Sequence, residues 1–244
     1  MDVNDAVDKL IESRAREPTS DELVSVIHPD IFFRRNSVNL IIARRSGGKT
    51  HLVLREILKC MLLGHKEYTQ VWYISDKCND DTVSKLKPLL EEHIQFNWIT
   101  TKEAPTLFRA LEFGKANPDE AEFRDCLNAS ELDADQTPHT FILFDDCIGL
   151  FNKTDALAKK LYQTRQSRIT AFLMLQDVSG LNPSMKANID SLVLFGGFPK
   201  HKFNVLFYQM PPAQFDFEDY AGLGPRDCVV IDFIDGSVDY KYRE

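Results

Sequence analysis

Apolar residues fall along this chain in two rhythms. Short unbroken runs recur at VNLIIA (38–43), VWYIS (71–75), FNWIT (96–100), TFILFDDC (140–147), AFLMLQ (171–176) and SLVLFGG (191–197). Runs of this length predict strands buried on both faces. Between them, apolar positions return every three or four residues, as in Leu52, Leu54, Ile57, Leu58, Met61 and Leu62 before a stop at Gly64. That spacing predicts helices. Further helices are expected from Asp80 and Asp81 through Leu89, over Pro105–Phe113, over 155–164, and over Asn182–Ile189. CVVIDF (228–233) and VDYKYR (238–243) flank Ile234-Asp235-Gly236-Ser237, a hairpin centred on Asp-Gly.

Strands alternating with helices predict an α/β fold: a mostly parallel central sheet, helices on both faces, and the C-terminal hairpin as an antiparallel edge. Residues 1–30 read as an N-terminal helical extension, with Pro18-Thr19-Ser20 as a break, and 31–244 as one domain. Within that domain the polar, acidic stretch 115–139 reads as a surface insertion with a short helix.

Composition narrows the class. Hydrophobic residues make up 43% and charged residues 27% of the 244 residues, a globular balance that argues against wholesale disorder. The net charge of −8 argues against a protein that coats nucleic acid with a basic surface, though not against a local basic grip. Five cysteines without CxxC spacing read as reduced thiols, not as a disulfide frame or zinc site. The acidic, amphipathic start lacks the features of a signal peptide, and no apolar run is long enough to span a bilayer. Both predict a protein without stable membrane insertion.

The chemistry concentrates at three strand ends. The first strand runs into Ala43-Arg44-Arg45-Ser46-Gly47-Gly48-Lys49-Thr50, then His51 and a helix. This is the phosphate-binding pattern G-x-x-x-x-G-K-[ST] with Ala43 in place of the first glycine. Such a turn aims backbone N–H groups and a helix N-terminus at phosphate oxygens. Residues 43–51 are therefore the candidate ATP-binding loop, with Lys49 reaching the β- and γ-phosphates and the Thr50 hydroxyl binding Mg²⁺. Ala43 stays small but would resist a positive φ.

Ile142-Leu143-Phe144-Asp145-Asp146 supplies the matching acidic strand end. Asp145 is the candidate Mg²⁺ ligand, and Asp146 the residue that orients or deprotonates the attacking water. Gln176, ending the next apolar strand, is placed to touch the γ-phosphate or that water. Arg165 and Arg168 precede this strand. They read as a finger acting in trans, as a DNA contact, or as solvated surface charges.

The Arg-Arg-Ser-Gly-Gly-Lys-Thr loop, ILFDD and TRQSRITAFLMLQ, in that order, resemble the FtsK/HerA superfamily of P-loop ATPases. Within it they look most like the genome-packaging ATPases of poxviruses, giant viruses and virophages. The similarity covers about residues 38–197. It departs at Ala43 and at Gln166, where the relatives commonly carry His. The resemblance implies a ring of five or six subunits pumping double-stranded DNA into a preformed capsid. ATP would sit between subunits, and capsid or portal vertex proteins would be partners. The implied location is the host cytoplasm or a viral factory, with association to the virion left open. The DNA grip would fall on local basic positions, Lys200, His201 and Lys202 or Arg34 and Arg35. Two other readings stand beside this one. A nucleotide or nucleoside kinase would transfer phosphate to a small acceptor as a monomer. A nucleotide-gated assembly module would bind ATP without releasing phosphate.

Overall fold

The computed structural model describes residues 25–77, 80–113, 139–151, 161, 168–179, 181–210 and 215–241. Eight strands form one sheet: β1 (Val38–Ile42), β2 (Tyr68–Ile74), β3 (Gln95–Ile99), β4 (His139–Asp145), β5 (Ile169–Leu175), β6 (Ser191–Phe195), β7 (Cys228–Asp232) and β8 (Val238–Lys241). Their order across the sheet is β3-β2-β4-β5-β1-β6-β7-β8. From β3 to β6 every pairing is parallel, and β6–β7 and β7–β8 are antiparallel. The helices are α1 (Lys49–Leu62), α2 (Asp81–Glu91), α3 (Ala104–Phe113), α4 (Ile148–Phe151), α5 (Pro183–Lys186), α6 (Lys200–Gln209) and α7 (Phe217–Ala221).

The strands read as continuous apolar runs because both of their faces are covered. The period of two sends Leu40, Ile42, Ile142, Phe144, Leu173 and Leu175 to one side, where α3, α6 and α7 close over them with Leu107, Phe203 and Tyr220. Ile41, Phe141, Leu143, Phe172 and Met174 point to the other side, under Val53, Leu54 and Ile57 of α1 and Val83 and Leu90 of α2. Ile31, Phe32 and Phe33 join this second layer, and the Phe33 ring meets Phe172 and Phe141 edge-on at 5.0 and 5.6 Å.

Helix boundaries follow local chemistry. The Asp80 carboxylate caps α2 by accepting from Thr82 N and Val83 N at 2.8 and 3.2 Å. α1 gives out at Gly64, whose φ of 90° suits only glycine after a helix end. Two differences from the sequence pattern have simple causes. β2 starts at Tyr68, ahead of its apolar run, because Tyr68 and Gln70 pair with His139 and Thr140 of β4, the buried Gln70 side chain being satisfied by Trp72 Nε1 at 3.0 Å. His139, assigned to the acidic insertion, is the first residue of β4. α6 and α7 add elements where the sequence suggested none. Of the expected N-terminal helical extension only 25–30 are described, and they are not helical, with Val26 bridging Arg34. Of the expected helix at 155–164 only Leu161 is described, as helical; the rest of both, and the body of the insertion, lie outside the described residues.

Arg34 anchors the incoming segment to the hairpin, with its guanidinium on Asp232 (2.7 Å) and Asp235 (2.5 Å). Cys60, Cys147 and Cys228 are buried free thiols, as expected of reduced cysteines. Among the described residues no helix is long and apolar enough to cross a membrane.

His139 packs its ring on Tyr68 at 5.4 Å, with Nδ1 buried and without a partner. Burial, and then the charges of Arg168 and Arg35, pull its pKa from 6.5 to about 4. As pH falls from 6.5 to 4, the unfolded chain takes up a proton that the folded chain refuses, so stability declines. Chemical denaturation across this window should show His139→Phe losing less stability than the parent, by up to roughly 3 kcal/mol. Parallel curves for the two proteins would refute this account.

Candidate nucleotide-binding site

Four neighbouring parallel strands deliver the site. At their C-terminal ends, in sheet order, stand Lys77 after β2, Asp145 and Asp146 at β4, Gln176 after β5, and the loop 43–50 after β1. Ligands bind at this edge in open α/β sheets. Here the edge opens into a cleft of about 570 Å³ lined by residues 45–51, Lys77, residues 80–82, Asp145, Asp146 and Arg226. This lies within the range of small-molecule sites, about 300–1,000 Å³.

The loop's conformation answers the question raised by Ala43. Positive φ falls at Ser46 (58°) and Gly48 (103°), while Ala43 extends β1 by donating its N–H to Leu175 O at 3.2 Å. The position therefore tolerates a β-carbon. Crowding moves to Gly47, where a β-carbon would come within 2.9 Å of both Ala43 Cβ and Arg44 O. Gly48 is the N-cap of α1 and offers no side-chain acceptor to the first turn. The opening N–H groups of the helix thus face the cleft uncapped, the arrangement that suits an anion. Arg44 turns away to lie over the Phe198 ring at 5.8 Å, whereas Arg45 and His51 line the cleft.

Asp145 is buried, 2% exposed, at the end of a central strand. Its Oδ2 accepts from Tyr73 Oη (2.5 Å), Thr50 Oγ1 (3.2 Å) and Lys77 Nζ (3.3 Å). Its Oδ1 is buried and meets no donor. An orphaned carboxylate oxygen beside a threonine hydroxyl fits a hard divalent cation. Among the described residues no cluster of three or more His, Cys, Asp or Glu could hold a metal. Magnesium, which favours one or two carboxylates plus phosphate and water, matches Thr50 and Asp145.

Asp146 leaves the strand with a φ of 55°. Its Oδ2 accepts from Lys77 Nζ at 2.9 Å and Gln176 Nε2 at 3.3 Å, and its Oδ1 lies 3.9 Å from Lys49 Nζ. Burial would raise the Asp146 pKa, but the hydrogen bond from Lys77, the charges of Lys49 and Lys77, and the Gln176 amide outweigh it and hold it low. Burial lowers Lys49, partly opposed by Asp146 and Asp145, while its ammonium also donates to Ala43 O at 3.3 Å. Burial also pushes the Cys147 thiol up to about 12, the Asp145 charge adding to it, so Cys147 remains a neutral donor tying β4 to Ile74 O at 3.1 Å.

The structure thus brings Lys49, Thr50, Asp145, Asp146 and Gln176 together. It does not bring Arg168 to them. Arg168 stands at the start of β5, the opposite edge of the sheet from Gln176, across roughly 25 Å of extended chain. Arg165 lies outside the described residues. Five cleft residues, Lys77, Asp80, Asp81, Thr82 and Arg226, are not among the site residues expected from the sequence, which read Asp80 and Asp81 only as the start of a helix. Lys77 carries no motif, and its partners lie 68 and 69 positions away. Arg226 follows Gly224-Pro225 in a turn pinned by Asp227, which accepts from Gly224 N and Gly196 N at 2.9 Å each. Of the basic positions considered for DNA, Arg34 and Arg35 are consumed in ion pairs with Asp232, Asp235 and Glu67. Lys200, His201 and Lys202 are exposed where α6 begins.

No family model and no curated protein sequence matches the chain. Solved structures do. The DNA-packaging ATPase B204 of Sulfolobus turreted icosahedral virus is similar over 86% of this chain and 98% of its own, with 14% identity and a TM-score of 0.56. The genome-packaging NTPase B204 of Sulfolobus turreted icosahedral virus 2, in complex with AMPPCP, gives 85%, 98%, 13% and 0.60. The cytoplasmic domain of the type VII secretion ATPase EccC of Thermomonospora curvata matches 84% of this chain at 14% identity and a TM-score of 0.56, this chain covering 25% of it. At such identities the likeness speaks for the fold. It is the α/β fold of P-loop NTPases, mostly parallel and closed by a C-terminal antiparallel hairpin.

Because Gly47 has no room for a β-carbon, Gly47→Ala is expected to destabilise the protein by about 1–3 kcal/mol. It should also weaken binding of a fluorescent ATP analogue. An unchanged denaturation midpoint with unchanged binding would show that the loop is looser than its packing implies.

Proposed function

We propose that this chain is a Mg²⁺-dependent ATPase motor of the FtsK/HerA type that moves double-stranded DNA into a viral capsid as a ring of five or six copies. The observation that carries the reading is the convergence of Lys49, Thr50, Asp145 and Asp146 on one cleft beneath an uncapped helix N-terminus, with Gln176 bonded to Asp146. The likeness in fold to two viral packaging enzymes supports it. So do the arginine-rich approach to β5 and the glutamine that ends it.

In this reading the loop N–H groups and Lys49 hold the triphosphate and neutralise charge that builds on the leaving β,γ-bridging oxygen. Magnesium, held through Thr50 and Asp145, would neutralise phosphate charge and fix the in-line geometry. Asp146 takes the proton of the attacking water as its oxygen bonds to the γ-phosphorus, and ADP departs with the electrons of the broken bond. Gln176 keeps the Asp146 carboxylate oriented.

Arg165 or Arg168 would act on a nucleotide held by a neighbouring copy, since Arg168 stands on the far edge of its own sheet. Lys200, His201 and Lys202 are the candidate phosphate contacts to the duplex, an interaction sensitive to salt and indifferent to sequence. Capsid or portal vertex proteins would be the partners, met in the host cytoplasm or viral factory.

Phosphate release should be Mg²⁺-dependent, should rise per subunit with protein concentration and with duplex DNA, and should vanish in Lys49→Ala. Asp146→Asn should lose about 10²–10⁴-fold in rate while still binding ATP. Full activity in Lys49→Ala would overturn the site. A rate indifferent to concentration and DNA would leave an ATPase but remove the motor.

A further inference from the structure

The Asp146 carboxylate poses a problem for the chemistry just described. A water-activating base must be free to take a proton, yet this one is hydrogen-bonded to an ammonium. Lys77 Nζ lies 2.9 Å from Asp146 Oδ2 and 3.3 Å from Asp145 Oδ2, bridging the two carboxylates. It stands beside the Thr50 hydroxyl, which shares the same Asp145 oxygen at 3.2 Å. One positive charge therefore already occupies the ground between the acidic groups and the threonine that fit a divalent cation.

The lysine is not built in as a structural group would be. Its side chain is 44% exposed, on a segment that has just left β2, whereas Asp145 beneath it is closed off from solvent. Burial works against its charge, but the bond to Asp146 and the charges of both carboxylates outweigh that, so the ammonium is kept. A half-exposed lysine has room to swing out, and the buried carboxylate cannot follow it. Lys49 does not substitute for it, since its ammonium is turned to Ala43 O and stays 3.9 Å from Asp146.

We infer that Lys77 is a resident counter-cation that holds the paired carboxylates in the nucleotide-free site and excludes a divalent ion until nucleotide phosphates arrive with it. The phosphates draw the ammonium off the carboxylates, which frees Asp145 for the metal and Asp146 for the water. Empty subunits then neither collect metal nor expose an active base. Lys77 is in this sense a positioning residue for the hydrolytic site. The inference rests on the nucleotide-site reading above.

The test is Mn²⁺ binding to the full chain without nucleotide, followed by electron paramagnetic resonance. The parent protein should bind Mn²⁺ weakly. Lys77→Met, which removes the charge and keeps the apolar stem, should bind it about tenfold more tightly or better, because a cation within 4 Å of the site no longer repels it. Lys77→Arg should remain as weak as the parent, which separates charge from packing. Binding of a fluorescent ATP analogue with Mg²⁺ is measured on all three proteins as the control for the site. Equal Mn²⁺ affinity in parent and Lys77→Met, with analogue binding intact, would overturn the role of Lys77 and spare the nucleotide site. Loss of analogue binding in the parent itself would bring down both.

Discussion

A carboxylate buried at the end of a central strand cannot be left to itself, because desolvating an ion costs several kcal/mol unless donors and counter-charges replace the water. Asp145 is that group here. Tyr73 from β2, Thr50 from α1 and Lys77 from the segment after β2 all converge on one of its oxygens. The requirement to satisfy one buried charge therefore draws α1 and the segment after β2 onto the acidic strand end. The Tyr73 phenol illustrates the cost: burial, reinforced by the Asp145 charge, holds its pKa well above the usual value, so it serves only as a donor.

Topology sets how far apart the reacting groups can be. β5 lies between β1 and β4, so the loop and the acidic pair are separated by one full strand. With neighbouring strands about 4.8 Å apart, the backbones of β1 and β4 run roughly 10 Å from each other, a span that side chains cross where Thr50 meets Asp145 at 3.2 Å and Lys49 comes within 3.9 Å of Asp146. Gln176 follows the intervening strand and donates to Asp146 Oδ2 at 3.3 Å. The same arrangement accounts for the length of chain between the two motifs. The chain must form β2, α2, β3 and α3 before it can return as β4. The edge that carries chemistry is thus assembled from distant segments whose only common property is the end at which they stop.

Much of this was legible in the sequence for a physical reason. A strand covered on both faces must be apolar throughout, so β1, β4, β5 and β6 announced themselves, and the residues that break each run at its C-terminal end are the site. The hairpin was equally plain, since Asp-Gly between β-branched runs has few other uses. What could not be read depends on tertiary partnership. Lys77 looks like any surface lysine until the sheet sets it against Asp145 and Asp146. Arg34 and Arg35 looked available, and the fold has spent them on Asp232, Asp235 and Glu67. α6 hid because its apolar residues answer to a local aromatic cluster, Phe203 with Phe207, Phe217 and Tyr220, as much as to the sheet. Ala43 seemed a defect only because the strain of the loop was assigned to the wrong residue.

The location of that strain explains why the two aspartates can act together at all. In an extended strand, consecutive side chains point to opposite faces, so Asp145 and Asp146 would diverge and no single cation could bridge them. The strand stops at Asp145, and Asp146 turns to a φ of 55°, its N–H still anchored on Met174 O at 3.0 Å. The turn breaks the alternation and brings both carboxylates within 3.3 Å of Lys77. Aspartate and asparagine bear this left-handed conformation better than longer or branched side chains, which limits what can occupy position 146. Across the cleft Ser46 carries a similar φ of 58°. Each such residue costs of order 1–3 kcal/mol, and Asn36 and Arg168, away from the cleft, carry similar φ values of 56° and 54°. Two of these four residues line one cleft, Ser46 in the loop after β1 and Asp146 after β4, and there the turn at Asp146 sets its carboxylate beside that of Asp145.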